Sequence, residues 1–321
     1  MKVSIIIPTY NVESYITECL ESVARQTYQG EMECLVVDDC GTDNSIAVAD
    51  QFISDYQGRV HFRIIHREKN GGLSAARNTG VKNAVGDYVY FLDSDDAIIS
   101  ETIEEMMKVV CDHPQVEMVQ GGIVSMNGQV LEDFSVKELP EYTDNIEWII
   151  KNMLFSFPVS SCNRLLKRDF LQRNIISFHE GIIHEDVPYN FLLAIKFRYV
   201  GFVKKNTYLY RMQREGSIIN SSKEGRSIHS RLLLMKECID NYTHHRFVTN
   251  ELQDIALYAL WWKWMDYMKI HSMEALSLQS FELSDVLKKL IAITPWPWKL
   301  FALTYNQFPI RLKRKIQIKK L

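Results

Sequence analysis

Long apolar runs are missing from this chain of 321 residues: nothing approaches the roughly 18 uncharged apolar residues that a membrane-spanning helix needs. A secretion signal is not expected either. Residues 3–7 are apolar and follow Lys2, but Pro8 and the polar Thr9-Tyr10-Asn11 end that run too early for a signal core. Basic charge is not in surplus, since 37 lysines and arginines face 40 acids for a net charge of −3, so general affinity for nucleic acid is not indicated. The six cysteines (Cys19, Cys34, Cys40, Cys111, Cys162, Cys238) are scattered, with neither a CxxC pair nor metal-ligand spacing. Reduced thiols in a cytoplasmic enzyme are the expectation. Internal repeats, low-complexity tracts and a GxxxxGK(S/T) phosphate loop are absent as well.

What the chain does have is an ordinary globular composition, 46% hydrophobic and 24% charged, enough for one large or two moderate domains. Residues 3–7, 33–37, 63–66 and 88–92 are apolar, β-branched or aromatic runs that read as strands. Residues 12–26 have helical periodicity, with Ile16, Cys19, Leu20 and Val23 on one face. Residues 44–56, capped by Thr42 or Asp43, and residues 74–84, behind the turn Asn70-Gly71-Gly72, read as two more helices. Repeated β-α-β units of this kind indicate an α/β fold, a mostly parallel sheet flanked by helices.

The pattern changes after residue 100. Strands at 116–120 and 128–133 flank the hairpin signal Asn127-Gly128. Helices follow at 146–154 and 167–174, then strands at 198–203 and 207–211. From about residue 226 the chain reads as helical, with the aromatic patch Trp261-Trp262-Lys263-Trp264. The expected organisation is a domain over 1–225, in halves 1–100 and 101–225, and a helical C-terminal region over 226–321. Residues 294–321 hold seven bases and no acid, with Trp296, Trp298, Phe301, Tyr305 and Phe308 ahead of the basic cluster. Such a tail suits the interface of an anionic membrane, and it also suits a solvated helix with a basic end.

Four polar clusters fall where strands end, the edge at which α/β sheets hold ligands. Pro8-Thr9-Tyr10-Asn11 is either a simple turn or a place where Tyr10 stacks on a flat base. In Asp38-Asp39 one carboxylate is explained as a turn residue, whereas two together suit a ribose hydroxyl or a pyrimidine N–H. The glycines of Asn70-Gly71-Gly72 let backbone approach a ligand at a helix N-terminus, and Arg77 one turn later can neutralise phosphate or nearby acids. Asp93-Ser94-Asp95-Asp96 packs three carboxylates into four residues behind a buried strand, which favours a hard divalent cation and a phosphorylated substrate. Further on, Glu185-Asp186-Val187-Pro188 opens a helix. Asp186 there is an N-cap, a general base modulated by Glu185, or both.

Taken together, Val3-Ser4-Ile5-Ile6-Ile7-Pro8-Thr9-Tyr10-Asn11, Val37-Asp38-Asp39-Cys40-Gly41-Thr42-Asp43, Asn70-Gly71-Gly72-Leu73-Ser74-Ala75-Ala76-Arg77-Asn78 and Phe91-Leu92-Asp93-Ser94-Asp95-Asp96 resemble, in order and spacing, the family 2 glycosyltransferases. The resemblance continues through Asn163-Arg164-Leu165-Leu166-Lys167-Arg168, Glu185-Asp186-Val187 and Tyr210-Arg211 with Ser217-Ile218, about the first 220 residues. It implies a GT-A, Rossmann-like fold and an inverting, Mn²⁺- or Mg²⁺-dependent hexosyl- or N-acetylhexosaminyltransferase. The nucleotide-binding half would be 1–100 and the acceptor half 101–225. The donor implied is a UDP-sugar and the acceptor a glycan or lipid-linked hydroxyl, in surface polysaccharide biosynthesis. By the same resemblance Tyr10 and Asp39 hold the uracil, Pro8 shapes its pocket, and Asn70 and Arg77 lie by the diphosphate or sugar. Asp93 and Asp95 hold ribose and metal, Asp186 is the base with Glu185 beside it, and Arg211 and Ser217 belong to a loop closing on the diphosphate. Two positions depart from the pattern: Ser161-Cys162 stands where a tryptophan is common, and Gln213 and Arg214 stand where histidine is common. The alternatives are a sugar-phosphate nucleotidyltransferase, whose Gly-rich loop after the first strand is absent here, and a non-catalytic nucleotide-sugar-binding module.

Overall fold

An apolar strand covered by helices on both faces must hide every side chain, and residues 3–9 of the first strand are all buried. The computed structural model describes residues 1–126, 136–212, 224–270 and 280–295. The chain begins β1 (Lys2–Thr9), α1 (Ile16–Ala24), β2 (Glu31–Asp38), α2 (Ser45–Asp55), β3 (His61–His66), α3 (Leu73–Asn83) and β4 (Tyr88–Phe91). It continues with β5 (Ala97–Ile98), α4 (Thr102–Asp112), β6 (Met118–Ser125), β7 (Tyr142–Thr143), α5 (Ile146–Phe155), β8 (Arg164–Lys167), α6 (Arg168–Arg173), α7 (Asp186–Lys196) and β9 (Val200–Tyr210). Three helices follow: α8 (Glu224–His244), α9 (Asn250–Ile270) and α10 (Ser280–Ile293).

The strands form one sheet in the order β3-β2-β1-β4-β8-β6-β9-β5, with β7 also on β9. β3, β2, β1 and β4 are mutually parallel, and β8 joins β4 to β6 by antiparallel pairing on both sides. Strand order reverses between β1 and β4, so their carboxyl ends open the crevice in which such sheets bind ligands. The period-2 alternation of side chains feeds two cores. Ile5, Ile7, Cys34 and Val36 face α1, α2 and α4, whereas Ile6, Leu35, Val37 and Phe91 face α3, α5, α7 and the C-terminal helices. α3 lies close on β1 because Gly80 faces Ile6: a Cβ there would stand 2.2 Å from Ile6 Cγ2.

Several expected boundaries move. β8 was not foreseen; its Arg164-Leu165-Leu166-Lys167 is too short and too basic at its ends to announce a strand, yet Leu165 and Leu166 are fully buried. The two strands expected at 198–203 and 207–211 are one, β9, because the exposed Lys204-Lys205-Asn206 is an irregularity in register against β6, not a turn. The helix expected from residue 12 begins at Ile16, after a turn in which Val12 O accepts from Tyr15 N and Ile16 N. The N-cap of α2 is Asn44, and Asp43 supports it by accepting from Ser45 N at 3.0 Å. The hairpin signal Asn127-Gly128, the strand at 128–133, Gln213, Arg214, Ser217 and the tail beyond residue 295 lie outside the described residues. Among the described residues no helix is long and apolar enough to cross a membrane. All six cysteines are free, and only Cys111 is exposed.

Candidate active site

The carboxyl edge of β1, β2 and β4 is where local backbone departs from the ordinary. Among the described residues five non-glycine residues have positive φ. Four of them, Asn11, Cys40, Asn163 and His184, flank this edge, as expected where strain is stored near function. Asn11 follows β1 and accepts from Thr42 N at 2.7 Å through Oδ1, tying the two turns together. Pro8 is buried at the end of β1, and Tyr10 just beyond it is 45% exposed, free to stack on a planar ring.

Asp39, one residue past β2, is buried, and its carboxylate turns toward the glycine turn. Oδ1 accepts from Gly71 N at 3.0 Å and Oδ2 from Gly72 N at 2.8 Å, while Arg67 pairs with Oδ1. Asn70 Nδ2 donates to Asp39 O at 3.0 Å. Gly72 has φ +81°, a conformation that favours glycine, and it leads directly into α3.

One turn into α3, Arg77 is 1% exposed and collects carboxylates from two other parts of the chain. Nη1 donates to Glu185 Oε1 at 2.9 Å and Asp186 Oδ1 at 3.1 Å, and Nη2 donates to Asp93 Oδ1 at 3.0 Å. Its guanidinium lies 5.1 Å from the centroid of the Phe178 ring. Three acids outweigh its desolvation and hold its pKa well above the usual arginine range, the largest contribution coming from Asp186. Glu185, 7% exposed, is pushed up to about 7 by burial and then by Asp186, against the pull of Arg77. Of the roles open to Asp186 from sequence, an N-cap, a general base or both, the N-cap is not the one observed. Asp186 is the first residue of α7, Glu185 holds the cap position without a side-chain bond, and the Asp186 carboxylate faces Arg77 and Ser161. The competing charge of Arg77 explains the change.

The Asp93–Asp96 turn closes behind β4, with Asp96 N donating to Asp93 O at 3.0 Å. Asp96, the last carboxylate of this run, is 2% exposed and anchors the end of β9: Tyr208 Oη donates to Oδ2 and Arg211 N to Oδ1, each at 2.7 Å. Burial, then Asp93 and Asp95, push its carboxyl up to about 8. The Arg211 side chain crosses the turn, donating through Nε to Asp95 O at 2.8 Å, pairing with Glu18 and lying over the Tyr15 ring. Beneath lie two buried thiols: Cys19 Sγ is 3.6 Å from Asp93 O and Cys162 Sγ is 3.8 Å from Arg77 Nη2, both raised well above the usual thiol range chiefly by burial.

This donor set fits a divalent cation shared with substrate. Mn²⁺ or Mg²⁺ typically takes one or two carboxylates and completes its shell with phosphate oxygens and water. Asp93 and Asp95 supply hard oxygens on one turn, and a single Arg77 leaves the acids in excess. Among the described residues no group of three or more His, Cys, Asp or Glu would hold a metal by itself.

Of the residues singled out from sequence, Arg77, Asp93, Glu185 and Asp186 meet in one cluster, with Asp95 and Arg211 beside it. Asp39 and Asn70 meet in a second cluster at the glycine turn, and Pro8 and Tyr10 lie at the neighbouring strand end. Ser217 falls outside the described residues. Sequence reasoning missed Arg67, Phe178, Tyr208 and Glu18. Each is a common residue type off any motif, and only the tertiary fold brings it to the edge.

The family model "Glycosyl transferase family 2" matches residues 4–173, more than half of the chain. Glycosyltransferase GlyG of Streptococcus pneumoniae serotype 4 is 30% identical over 235 residues, covering 68% of this chain and 73% of that protein. Poly(ribitol-phosphate) beta-N-acetylglucosaminyltransferase TarS of Staphylococcus aureus is 30% identical over 226 residues, 69% of this chain, and the match spans only 37% of TarS. The crystal structure of S. aureus TarS 1–349 in complex with UDP-GlcNAc has the same fold, with a TM-score of 0.71 at 24% identity over 92% of this chain and 82% of that one.

Proposed function

The chain belongs to glycosyl transferase family 2, and from that premise we propose that it is an inverting glycosyltransferase moving a sugar from a UDP-sugar to an acceptor hydroxyl of a surface glycan. The observation that carries this reading is the Arg77 cluster, which holds Glu185 and Asp186 of α7 beside Asp93 at the switch point of the sheet. Tyr10 stacks on the base, Pro8 backs it, and the glycine turn fixed by Asp39 and Asn70 borders the nucleotide. Arg211 and Ser217 serve the diphosphate end.

Asp93 and Asp95 would hold Mn²⁺ or Mg²⁺, which when bound stabilises the charge that develops on the departing diphosphate. Asp186 takes the proton of the acceptor hydroxyl as it attacks the anomeric carbon, a step worth roughly 10²- to 10⁴-fold in rate. Arg77 and Ser161 both engage its Oδ1 and so orient the carboxylate. A single displacement from the face opposite UDP inverts the anomeric centre.

The glycosyltransferase domain is taken as 1–225, with 226–321 a helical extension whose basic aromatic tail meets the cytoplasmic face of an anionic membrane. UDP-GlcNAc, the ligand of the TarS structure, is the first donor to try. UDP release from a panel of UDP-sugars with a glycan acceptor, with and without Mn²⁺, tests the reading. Asp95→Ala and Asp186→Ala variants that turn over normally would overturn the site. Co-sedimentation with anionic vesicles, lost on truncation at Thr294, tests the tail.

A further inference from the structure

Asp186 is delivered to the site by residues 174–185, a stretch with no helix or strand of its own. Three of these residues, Ile175, Gly181 and His184, have positive φ, of 53°, 82° and 65°. For the isoleucine and the histidine such backbone persists only where the surroundings hold it.

The first part of the stretch is held by α3. Asn78 Oδ1 accepts from Phe178 N and Asn78 Nδ2 donates to Phe178 O, each at 2.9 Å. The Phe178 ring lies flat against Tyr189 of α7, with centroids 3.8 Å apart. The second part, which runs straight into Glu185 and Asp186, is held from α8. Ser230 is 2% exposed, and its Oγ accepts from Ile183 N at 3.2 Å. Two turns further along α8, Glu237 Oε2 stands 2.8 Å from His179 Nδ1. α8 is a firm support for both. Its Leu232, Met235, Ile239 and Tyr242 recur at helical spacing, buried in the core that also takes Tyr189, Phe191 and Ile195 of α7. The helix lies outside every sequence motif and beyond residues 4–173 matched by the family model.

We propose that Ser230 is a positioning residue for Asp186. By taking the Ile183 amide, α8 fixes the backbone that aims the carboxylate at the acceptor hydroxyl, and the Glu237–His179 pair holds the outer end of the same stretch. This deepens, and rests on, the reading of Asp186 as the base. A buried amide must find an acceptor, and this one lies three residues ahead of the base. Losing Ser230 Oγ therefore displaces the base and leaves Tyr10, Asp39 and Asp93 on their own strand ends.

UDP release by the full chain tests this, with UDP-GlcNAc or the fastest UDP-sugar of the panel, a glycan acceptor and Mn²⁺. The cycle comprises wild type, Ser230→Ala, Asp186→Asn and the double variant. Ser230→Ala should lower kcat about tenfold and keep KM for the UDP-sugar within about twofold, as a misplaced base does. In the Asp186→Asn background the same change should cost less than about twofold, because no base is left to misplace. If Ser230→Ala melts early by circular dichroism, His179→Ala carries the cycle, its side chain being 41% exposed. An unchanged kcat in the folded variant, a loss borne by KM, or an equal loss in both backgrounds overturns the assignment and leaves Asp186 as the base. A wild type that transfers no sugar, or Asp186→Asn as fast as wild type, overturns the reading of the site, and this inference with it.

Discussion

Arg77 and Arg164 are both hidden from solvent, 1% and 0% exposed, and each leaves its Nε without a partner among the described residues. Their surroundings differ in one respect. Arg164 meets neutral acceptors, Asn190 Oδ1 at 2.8 Å and Pro158 O at 2.6 Å, and burial pulls its pKa down to about 10. It clips β8 to α7 and to the loop ahead of β8. Arg77 meets three carboxylates, which raise its pKa in spite of burial. A buried arginine is therefore no sign of a site by itself. The counter-charge decides, because carboxylates gathered around one cation at a sheet edge leave a negative excess that a core position would not tolerate.

The sharpest way to break this contrast is Arg77→Met. It strands Asp93, Glu185 and Asp186 and should cost about 3–5 kcal/mol of stability. UDP release should fall by on the order of 10³-fold or more, since the orientation of the base is lost as well. Urea unfolding and initial-rate assays measure both, and a variant within tenfold of wild type would dissolve the cluster as a catalytic unit. Asp186→Asn should cut turnover about 10²- to 10⁴-fold with little change in melting. Arg164→Met should do the reverse. Orphaning Asn190 Oδ1 and Pro158 O costs about 1–3 kcal/mol, while kcat stays within a few-fold.

The smallest expected effect is a pH slope. Glu185 binds its proton more tightly folded than unfolded, its pKa raised from 4.5 to about 7. Its contribution to stability is therefore fully present below pH 4.5 and is lost as pH rises through about 7. Unfolding free energy measured from pH 4.5 to 8 should decline less in Glu185→Gln than in wild type. Asp96, raised in the same direction, leaves part of the slope in place.

Much of the parallel half was legible because its strands are apolar through their length and each ends at a polar cluster, so β1 to β4 and their edge follow from local pattern. The second half hid its central strand. β8 carries Arg164 and Lys167 at its ends, and its place between β4 and β6 comes from pairing partners far along the chain. β9 was split in two because Lys204-Lys205-Asn206 looks like a turn when an irregularity in register against β6 is the cause. In the site, the acids were visible as clusters in sequence. The partners of Asp96 and Asp186 were not, because each carboxylate answers to a group outside its own motif: Tyr208 and the Arg211 amide for one, Arg77 and Ser161 for the other.

The distribution of thiols has a practical consequence. Cys19 and Cys162 are fully buried beneath the Asp93 turn and protonated far above neutral pH, so they are poor nucleophiles. Cys34 and Cys238 are buried too, and the exposed Cys111 ends α4 near Asp87 and Tyr88, at the opposite edge of the sheet from Asp93. A maleimide fluorophore added under native conditions would thus react first at Cys111. The protein comes with a built-in attachment point for a reporter dye or a surface tether that leaves the donor cleft open.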